Sequence, residues 1–284
     1  MKDGVGQIQT HCSKRMRVFI SSVKATRHST DAKHIHRLRV SIKKIRALIR
    51  FLDAVEPRKA RSLHRYFFKT LFRKAGALRE IQMNKLLLER FKQKRSAFSS
   101  YELFLINEKK RADFVFLKTL LDFDLQKVKD HKNQFKKALS SLKKNKIRKN
   151  VNAFLAKRIR KVKKILGGPQ YQDGLHLIRK HLKVLEAVLA LSCEITKEAE
   201  LKKLLVPVRQ INIRLGKLHD KQILSSDIEH FLATSVVKRP SDLHFLQSLL
   251  IGIRQQMASG SGPLKQKLLD ICSLLKKNKE LSRH

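Results

Sequence analysis

The fold is decided by a nine-residue stretch that occurs twice, as IHRLRVSIK at Ile35–Lys43 and as LHLIRKHLK at Leu175–Lys183. Both copies read apolar-His-x-apolar-Arg-x-x-apolar-Lys, and the second lies 140 positions after the first. Apolar residues three and four apart, without strict alternation, are typical of an amphipathic α-helix rather than a β-strand. The stretch therefore predicts a helix that buries one face, present in two copies.

A second motif repeats in the same register. The sequences GALRE at Gly76–Glu80 and GKLHD at Gly216–Asp220 are again 140 positions apart. The same displacement brings Lys69 onto Arg209, each seven residues before its glycine. Two motifs in register at one spacing indicate an internal repeat, and such a repeat has to be recognised before the fold can be assigned. We therefore expect two copies of one helical unit.

The composition agrees with a helical protein. The chain has 284 residues, of which 42% are hydrophobic, enough to form a core and too many for a disordered basic tail. It contains 10 Gly, 5 Pro, 3 Tyr and no Trp, which disfavours an all-β fold. We predict an all-α fold, with the first repeat over about 8–146 and the second over about 147–284.

Proline, glycine and capping residues predict where the helices begin and end. Ser29–Asp31 supplies N-cap candidates for the first histidine helix. Helical segments of the first copy are expected at about 8–23, 32–53, 56–92, 99–120 and 124–145. The second copy opens with a helix at about 148–166, and breaks follow at Gly167–Pro169, Arg239–Pro240 and Gly260–Pro263. Pro207 predicts a kink or a break inside an otherwise helical pattern.

The first histidine helix carries two distinct faces at 100° per residue. Its apolar face consists of Ile35, Leu38, Ile42, Ile45, Ile49 and Leu52. Its basic face consists of His36, Arg39, Lys43, Arg46 and Arg50. Like charges at these spacings repel one another, and a bound anion would relieve the repulsion. The second histidine helix repeats His176, Arg179 and Lys183 but has Glu186 at the position of Arg46.

A basic stripe is usually a solvated helix face, and that interpretation stays open here. The recurrence of histidine followed by arginine at i+3 favours a ligand surface, because a solvated face requires only polarity. Arginine grips phosphate oxygens through two N–H groups at once, and histidine donates a hydrogen bond or gains charge near neutral pH. Lys69 and Arg209 are expected to share the basic faces of their helices, and Glu80 and Asp220 to orient nearby cations.

Net charge limits the class of partner. The chain carries 65 Lys+Arg and 23 Asp+Glu, a formal net charge of +42, which attracts nucleic acid, an anionic membrane or inorganic phosphate chains. We find no apolar signal-peptide region and no apolar run of the roughly 20 residues that a membrane span needs. Cys12, Cys193 and Cys272 lie far apart, without zinc-ligand or disulfide-framework spacing. These features predict a soluble, cytoplasmic protein.

The repeated motifs resemble one known family. HxxRVxxKKxR at His36–Arg46, followed by GxxRE at Gly76–Glu80, resembles the first half of a CHAD domain (conserved histidine α-helical domain). HxxRKxxK at His176–Lys183, followed by LGxxxD at Leu215–Asp220, is similar to its second half. The resemblance implies one domain over 1–284, built of two pseudo-symmetric helical bundles with a basic central cleft or pore.

The resemblance also implies a ligand and a location. CHAD domains are associated with inorganic polyphosphate and with polyphosphate granules. The implied ligand residues of this chain are His36, Arg39, Lys43, Lys44, Arg46, Arg79, His176, Arg179, Lys180 and Lys183. The chain departs from the family pattern at a few positions, with lysine instead of arginine at 43 and 44, glutamate instead of aspartate at 80, and Glu-Ala instead of Arg-Tyr at 186–187.

The motifs give no indication of an enzyme. The chain has no GxxxxGK[ST], HExxH or GxSxG motif, and no credible nucleophile–base pair. The residues 198–202 match ExExK, the mark of the triphosphate tunnel enzymes to which CHAD domains are often fused. In this chain the segment is expected to be helical, where side chains two residues apart point about 200° apart and cannot share a metal ion. We expect no catalytic activity, metal ion or cofactor.

Two alternatives to polyphosphate binding stay open. Nucleic-acid binding is the main one, because charge alone does not separate it from polyphosphate binding and both weaken as salt rises. No helix-turn-helix, zinc-finger or RRM signature is present in the sequence. The other alternative is a membrane or scaffold role for the run from Lys143 to Lys164, which contains 11 Lys+Arg and no acidic residue.

Overall fold

The computed structural model describes residues 3–58, 67–91, 99–140, 142, 144–169, 171, 173–196, 199–234 and 240–281. These residues form helices and short connections, with no β-strand among them. The helices are α1 (Asp3–His28), α2 (Ala32–Val55), α3 (Lys69–Phe91), α4 (Ser99–Leu121), α5 (Leu125–Ser140), α6 (Lys144–Leu166), α7 (Leu175–Thr196), α8 (Ala199–Thr234) and α9 (Pro240–Leu281). The predicted all-α class is confirmed.

Helix α2 forms as its sequence predicts. The side chain of Asp31 caps it by accepting a hydrogen bond from the N–H of His34, with Oδ1 2.7 Å from the nitrogen. At the other end, the N–H of Glu56 donates to the carbonyl of Leu52. The predicted apolar face is buried throughout, and none of its six residues is more than 6% exposed. None of the five residues of the neighbouring basic face is buried in the apolar core.

The breaks considered at Pro207 and Gly260–Pro263 are not found, whereas a kink at Pro207 stays a prediction. Helix α8 continues through Pro207 without a break, and α9, which begins at Pro240 as expected, continues through Pro263. Proline removes one helical hydrogen bond and crowds the preceding turn. The helices continue because the flanking turns are packed in the core, as at Val208 and Leu264. The break at Gly167–Pro169, between α6 and α7, is confirmed.

Helix contacts occur in equivalent pairs. The contacts α1–α2, α2–α3, α3–α4 and α1–α5 correspond to α6–α7, α7–α8, α8–α9 and α6–α9. The long helix α9 therefore takes the places that α4 and α5 together occupy in the first half. Two helices of the first half also contact their counterparts directly, α2 with α7 and α3 with α8. Two copies of one helical unit around a pseudo-twofold axis would produce this pattern.

The buried apolar residues form two clusters, and each draws on both halves of the chain. Helix α3 passes from the larger cluster to the smaller one between Leu78 and Leu88, and α8 does so between Leu215 and Leu224. Arg79 and Glu80, which end the GALRE motif, lie in the first interval, and His219 and Asp220, which end the GKLHD motif, lie in the second. The polar pairs Arg79–Glu80 and His219–Asp220 are therefore placed where the apolar core is interrupted.

None of the described helices combines the length and apolar character that crossing a membrane requires.

Candidate anion-binding site

The basic faces of the two histidine helices meet where α2 contacts α7. Arg39 and Arg179 lower the pKa of Lys43, in addition to the larger effect of its desolvation. Desolvation, with Arg179 and Lys43, lowers the pKa of Lys183 to about 8. Cations from opposite halves of the chain are thus close enough to oppose one another's charge.

We refer to the basic groups at this meeting point as the junction site. They belong to α2, α3, α7 and α8 and interact electrostatically or through ring contacts. The junction site consists of His36, Arg39, Lys43, Arg79, His176, Arg179, Lys183 and His219. Seven of these eight were predicted from sequence. His219 was missed as a basic group, although it occupies the position equivalent to Arg79 in the repeat.

Arg39 is held in a defined position. Its Nη1 donates to the carbonyl oxygen of Phe72 at 3.4 Å, and its guanidinium lies 4.8 Å from the centre of the Phe72 ring. Arg46 lies over the same ring at 4.6 Å. A Cβ atom on Gly76 would be 2.8 Å from Nη1 of Arg39, so glycine leaves room for the guanidinium. At Gly216 an added Cβ would meet nothing within 4 Å, so the two glycines are not equivalent.

Arg179 has a buried donor without an acceptor. Within the described part of the chain, its Nε finds no hydrogen-bond partner. Desolvation lowers the pKa of this guanidinium, and Asp220 acts in the opposite direction. A buried, unpaired donor is unfavourable by about 1–3 kcal/mol. An oxyanion in the junction site would supply the acceptor that Arg179 lacks.

Two histidines of the junction site have a lowered pKa, mainly because they are desolvated. Desolvation, followed by Arg79 and Lys43, lowers the pKa of His36. Desolvation, Arg179 and His176 together lower the pKa of His219 to about 4, and the rings of His219 and His176 lie 5.6 Å apart. His219 is therefore neutral at pH 7 in the free protein. A bound anion favours the charged form and would raise both pKa values.

Carboxylates surround the junction site without neutralising it. Asp220 raises the pKa of Lys43, Arg179 and Lys183, and so favours their charged forms. Desolvation raises the pKa of Glu80, whereas Arg39 lowers it. Both carboxylates thus interact electrostatically with cations of the junction site, and their expected orienting role stays a prediction.

A buried hydrogen-bond network adjoins these carboxylates. Asp227 of α8 accepts a hydrogen bond from the hydroxyl of Tyr101 at 2.8 Å and another from Nδ2 of Asn84 at 2.9 Å. Tyr101 and Asn84 are almost fully buried. The network joins α3 and α4 to α8. No motif marks this network in the sequence, and Asp227 lies more than 120 residues from both of its donors.

The other predicted site residues do not belong to the junction site, and three of them line a separate cleft. Arg46, Arg50 and Lys180 line a cleft of about 320 Å³ between α2, α6 and α7, together with Arg158 and His181, which sequence analysis did not single out. The only sequence signal for Arg158 is its place in the basic run 143–164.

Three predicted residues lie outside both groups. Lys44 interacts electrostatically with Arg15 and Glu194. The Nε of Arg209 lies 3.4 Å from Oε1 of Glu186, in an ion pair. Lys69 is the exposed first residue of α3. Their roles as ligand residues stay predictions.

The structure bears on two features that could indicate an enzyme, a metal-binding cluster and the ExExK segment. Among the described residues, no group of three or more His, Cys, Asp or Glu side chains is arranged to hold a metal ion. Of the ExExK segment, Glu198 lies outside the described residues. The rest opens α8, where Glu200 pairs with Lys203 at 2.9 Å across one helical turn. That spacing confirms that this part of the segment is helical and not a strand.

Comparisons with known proteins identify the family. The family model described as the CHAD domain matches residues 11–227, more than half of the chain. The crystal structure of the CHAD domain from the plant Ricinus communis is similar, with a TM-score of 0.69 and 14% sequence identity, covering 96% of this chain and 91% of that one. The search of curated proteins found no match. At 14% identity the structural likeness concerns the fold alone, and it agrees with the family match. The chain belongs to the CHAD domain family.

Proposed function

We propose that this protein binds inorganic polyphosphate without catalysing a reaction, and that the phosphate oxygens contact the junction site. The observation that carries the proposal is the convergence of basic groups from four helices, including a buried Arg179 donor without an acceptor in the described part of the chain. Bringing like charges together is unfavourable in the free protein. A polyanion would make the arrangement favourable.

Features of the junction site favour a phosphate chain over nucleic acid. Arg39 and Arg179 can each offer two N–H groups to one phosphate, and the lysines add point charges between them. Single-stranded nucleic acid needs exposed aromatic rings on which bases stack. Phe72, the aromatic ring at the junction site, is covered by the guanidinium groups of Arg39 and Arg46. Nucleic acid is the alternative ligand, and association with polyphosphate granules is the cellular counterpart of the proposal.

A competition experiment tests the proposal. Labelled long-chain polyphosphate is bound at one fixed, near-physiological salt concentration, because salt alone changes the affinity for any polyanion. Unlabelled polyphosphate, duplex DNA and single-stranded RNA are then added at equal phosphate concentration. We expect polyphosphate to displace the label at a much lower concentration than either nucleic acid. Equal displacement by all three would overturn the proposal in favour of general polyanion binding.

The two glycines provide a matched pair of variants. Gly76→Ala is expected to weaken polyphosphate binding about 10- to 100-fold, because the new Cβ displaces the Arg39 guanidinium and one charge-assisted contact is lost. Gly216→Ala is expected to leave binding within about twofold, since its Cβ meets nothing within 4 Å. Alanine is the better helix former, so neither melting temperature should fall. Equal affinities of the two variants would show that the position of Arg39 does not matter.

The lowered pKa of Lys183 predicts that the affinity for polyphosphate depends on pH. With a pKa of about 8, Lys183 loses its charge in the free protein as the pH rises through 8. Bound phosphate favours the charged form, so binding above pH 8 requires uptake of a proton. We expect affinity to fall between pH 7 and pH 9, by at most about tenfold per unit for one proton. In Lys183→Arg, which keeps its charge, titration of binding over the same range should give a flatter profile. An unchanged slope would assign the effect to another group.

A further inference from the structure

The cleft between α2, α6 and α7 is distinct from the junction site. Four cationic side chains line it, Arg46, Arg50, Arg158 and Lys180, and Asp53 is its one carboxylate. His181 is also part of the wall. With a volume of about 320 Å³, the cleft is large enough for one or more phosphate groups. We refer to it as the distal cleft.

Two of the three guanidinium groups of the distal cleft lie over aromatic rings. Arg46 lies over the ring of Phe72, and Arg158 lies 5.0 Å from the centre of the Phe154 ring. An aromatic face holds a guanidinium in place without neutralising its charge. Desolvation, Arg46 and Arg158 lower the pKa of Arg50 to about 10. No carboxylate is among the described groups that shift the pKa of Arg50, so we take its charge to be available to a ligand.

His181 contributes a hydrogen-bond donor to the distal cleft. Nη1 of Arg158 lies 3.0 Å from Nδ1 of His181. Since arginine can only donate, Nδ1 accepts, and the ring proton of the neutral histidine is therefore on Nε2. Burial, Arg158 and Lys161 keep the pKa of His181 below its usual value. The distal cleft thus combines fixed cations with a neutral N–H donor, which suits phosphate oxygens.

The distal cleft continues the basic face of α2 away from the junction site. Arg46 lines the cleft, and it also lies beside Arg39 over the shared Phe72 ring. Arg39 and Arg50 are eleven residues apart, which is about 16 Å along a helix. On α7, Lys180 of the cleft directly follows Arg179 of the junction site. One extended anion can therefore run from Arg39 to Arg50, whereas an anion much shorter than about 16 Å cannot reach both of these arginines.

The cationic lining of the distal cleft is not repeated at the equivalent described positions of the other half of the chain. The positions equivalent to Arg46, Arg50 and Arg158 are occupied by Glu186, Ala190 and Val18. Glu186 forms an ion pair with Arg209 and accepts a hydrogen bond from Asn212 at 2.8 Å. The basic face of α7 is therefore neutralised where that of α2 continues.

We propose that the distal cleft is a second phosphate-binding site, which a long polyphosphate chain occupies while it also occupies the junction site. The proposal rests on the proposed function of the junction site. Once one part of a chain is bound, the next part is held at a high effective concentration near the distal cleft. The protein then binds long chains more tightly than short ones, and the distal cleft is the cause of that preference.

Affinities for two chain lengths test the proposal. Kd is measured by calorimetry at fixed salt for tripolyphosphate, which is too short to reach from Arg39 to Arg50, and for a long-chain polyphosphate. The variant Arg50→Ala/Arg158→Ala removes two cations of the distal cleft. The variant Lys157→Ala/Arg160→Ala removes equal charge from exposed positions of α6 that do not line the distal cleft. Lys180→Ala, an exposed position of the distal cleft, is a second test variant if the first folds poorly.

We expect Arg50→Ala/Arg158→Ala to lose about 10- to 100-fold in affinity for the long chain, and less than twofold for tripolyphosphate. The control variant should lose less than about threefold for both ligands. Equal losses for the two chain lengths, or an equal loss in the control, would overturn the bridging role of the distal cleft. If the wild type bound neither ligand, the proposed function itself would be wrong. The two failures are therefore distinguishable.

Discussion

Replacement of both Arg39 and Arg179 by alanine is expected to weaken polyphosphate binding about 10²- to 10⁴-fold. Each arginine contributes a charge-assisted hydrogen bond of about 1.5–3 kcal/mol, and the two act on the same ligand. They come from opposite halves of the chain and meet where α2 contacts α7. Their removal also relieves repulsion on Lys43, so the variant is expected to remain folded. The measurement is Kd by fluorescence anisotropy at fixed salt, with circular dichroism to verify helix content.

The matched control removes the same charge from elsewhere. Lys149 and Lys164 are exposed on α6, within the basic run that was considered for membrane or scaffold contacts. Lys149→Ala/Lys164→Ala is expected to weaken binding only a few-fold, through the general field of the protein. Comparable losses in the two double variants would mean that polyanions bind to diffuse charge, and the junction site would lose its assignment.

Replacement of Asp227 by alanine is expected to lower the free energy of unfolding by about 3–5 kcal/mol. The carboxylate accepts hydrogen bonds from Tyr101 and Asn84, both nearly fully buried, so its removal strands two donors away from water. Each hydrogen bond to a charged group contributes about 1.5–3 kcal/mol. The loss is expected to be large because the network joins α3 and α4 to α8. Urea unfolding followed by circular dichroism measures it.

Two further variants make the Asp227 result specific. Asp227→Asn keeps one carbonyl acceptor and should lose clearly less stability than alanine does. Asp130→Ala, on the exposed side of α5, changes net charge equally and should stay within about 0.5 kcal/mol of the wild type. A loss below 1 kcal/mol for Asp227→Ala would show that the buried donors find other partners.

Much of the fold was predictable because its signals are local. The apolar face of α2, its Asp31 cap and the break at Gly167–Pro169 depend on residues within one or two helical turns. The break considered at Pro207 and the one expected at Pro263 were wrong for the opposite reason, and the kink that was the alternative at Pro207 stays a prediction. There, burial of neighbouring turns in a distant core outweighs the local preference, which the residues around each proline do not reveal.

The candidate site was predictable in its residue types but not in its grouping. His36, Arg39 and Lys43 share a face of one helix, and periodicity alone places them together. Nothing local indicates that Arg209 is paired by Glu186, or that Arg158 joins Arg50 in the distal cleft. These pairings connect residues on different helices, so they depend on how the helices pack.

The sequence by itself determined that this chain is helical, that two of its motifs recur 140 positions apart, and that one face of α2 is basic. Those features follow from periodicity and composition, which act over a few residues. Only the tertiary structure decided that Arg39 and Lys43 meet Arg179 and Lys183, and that the basic face of α2 continues into the distal cleft. Charge acts through space, so its effect is set by the packing of distant segments.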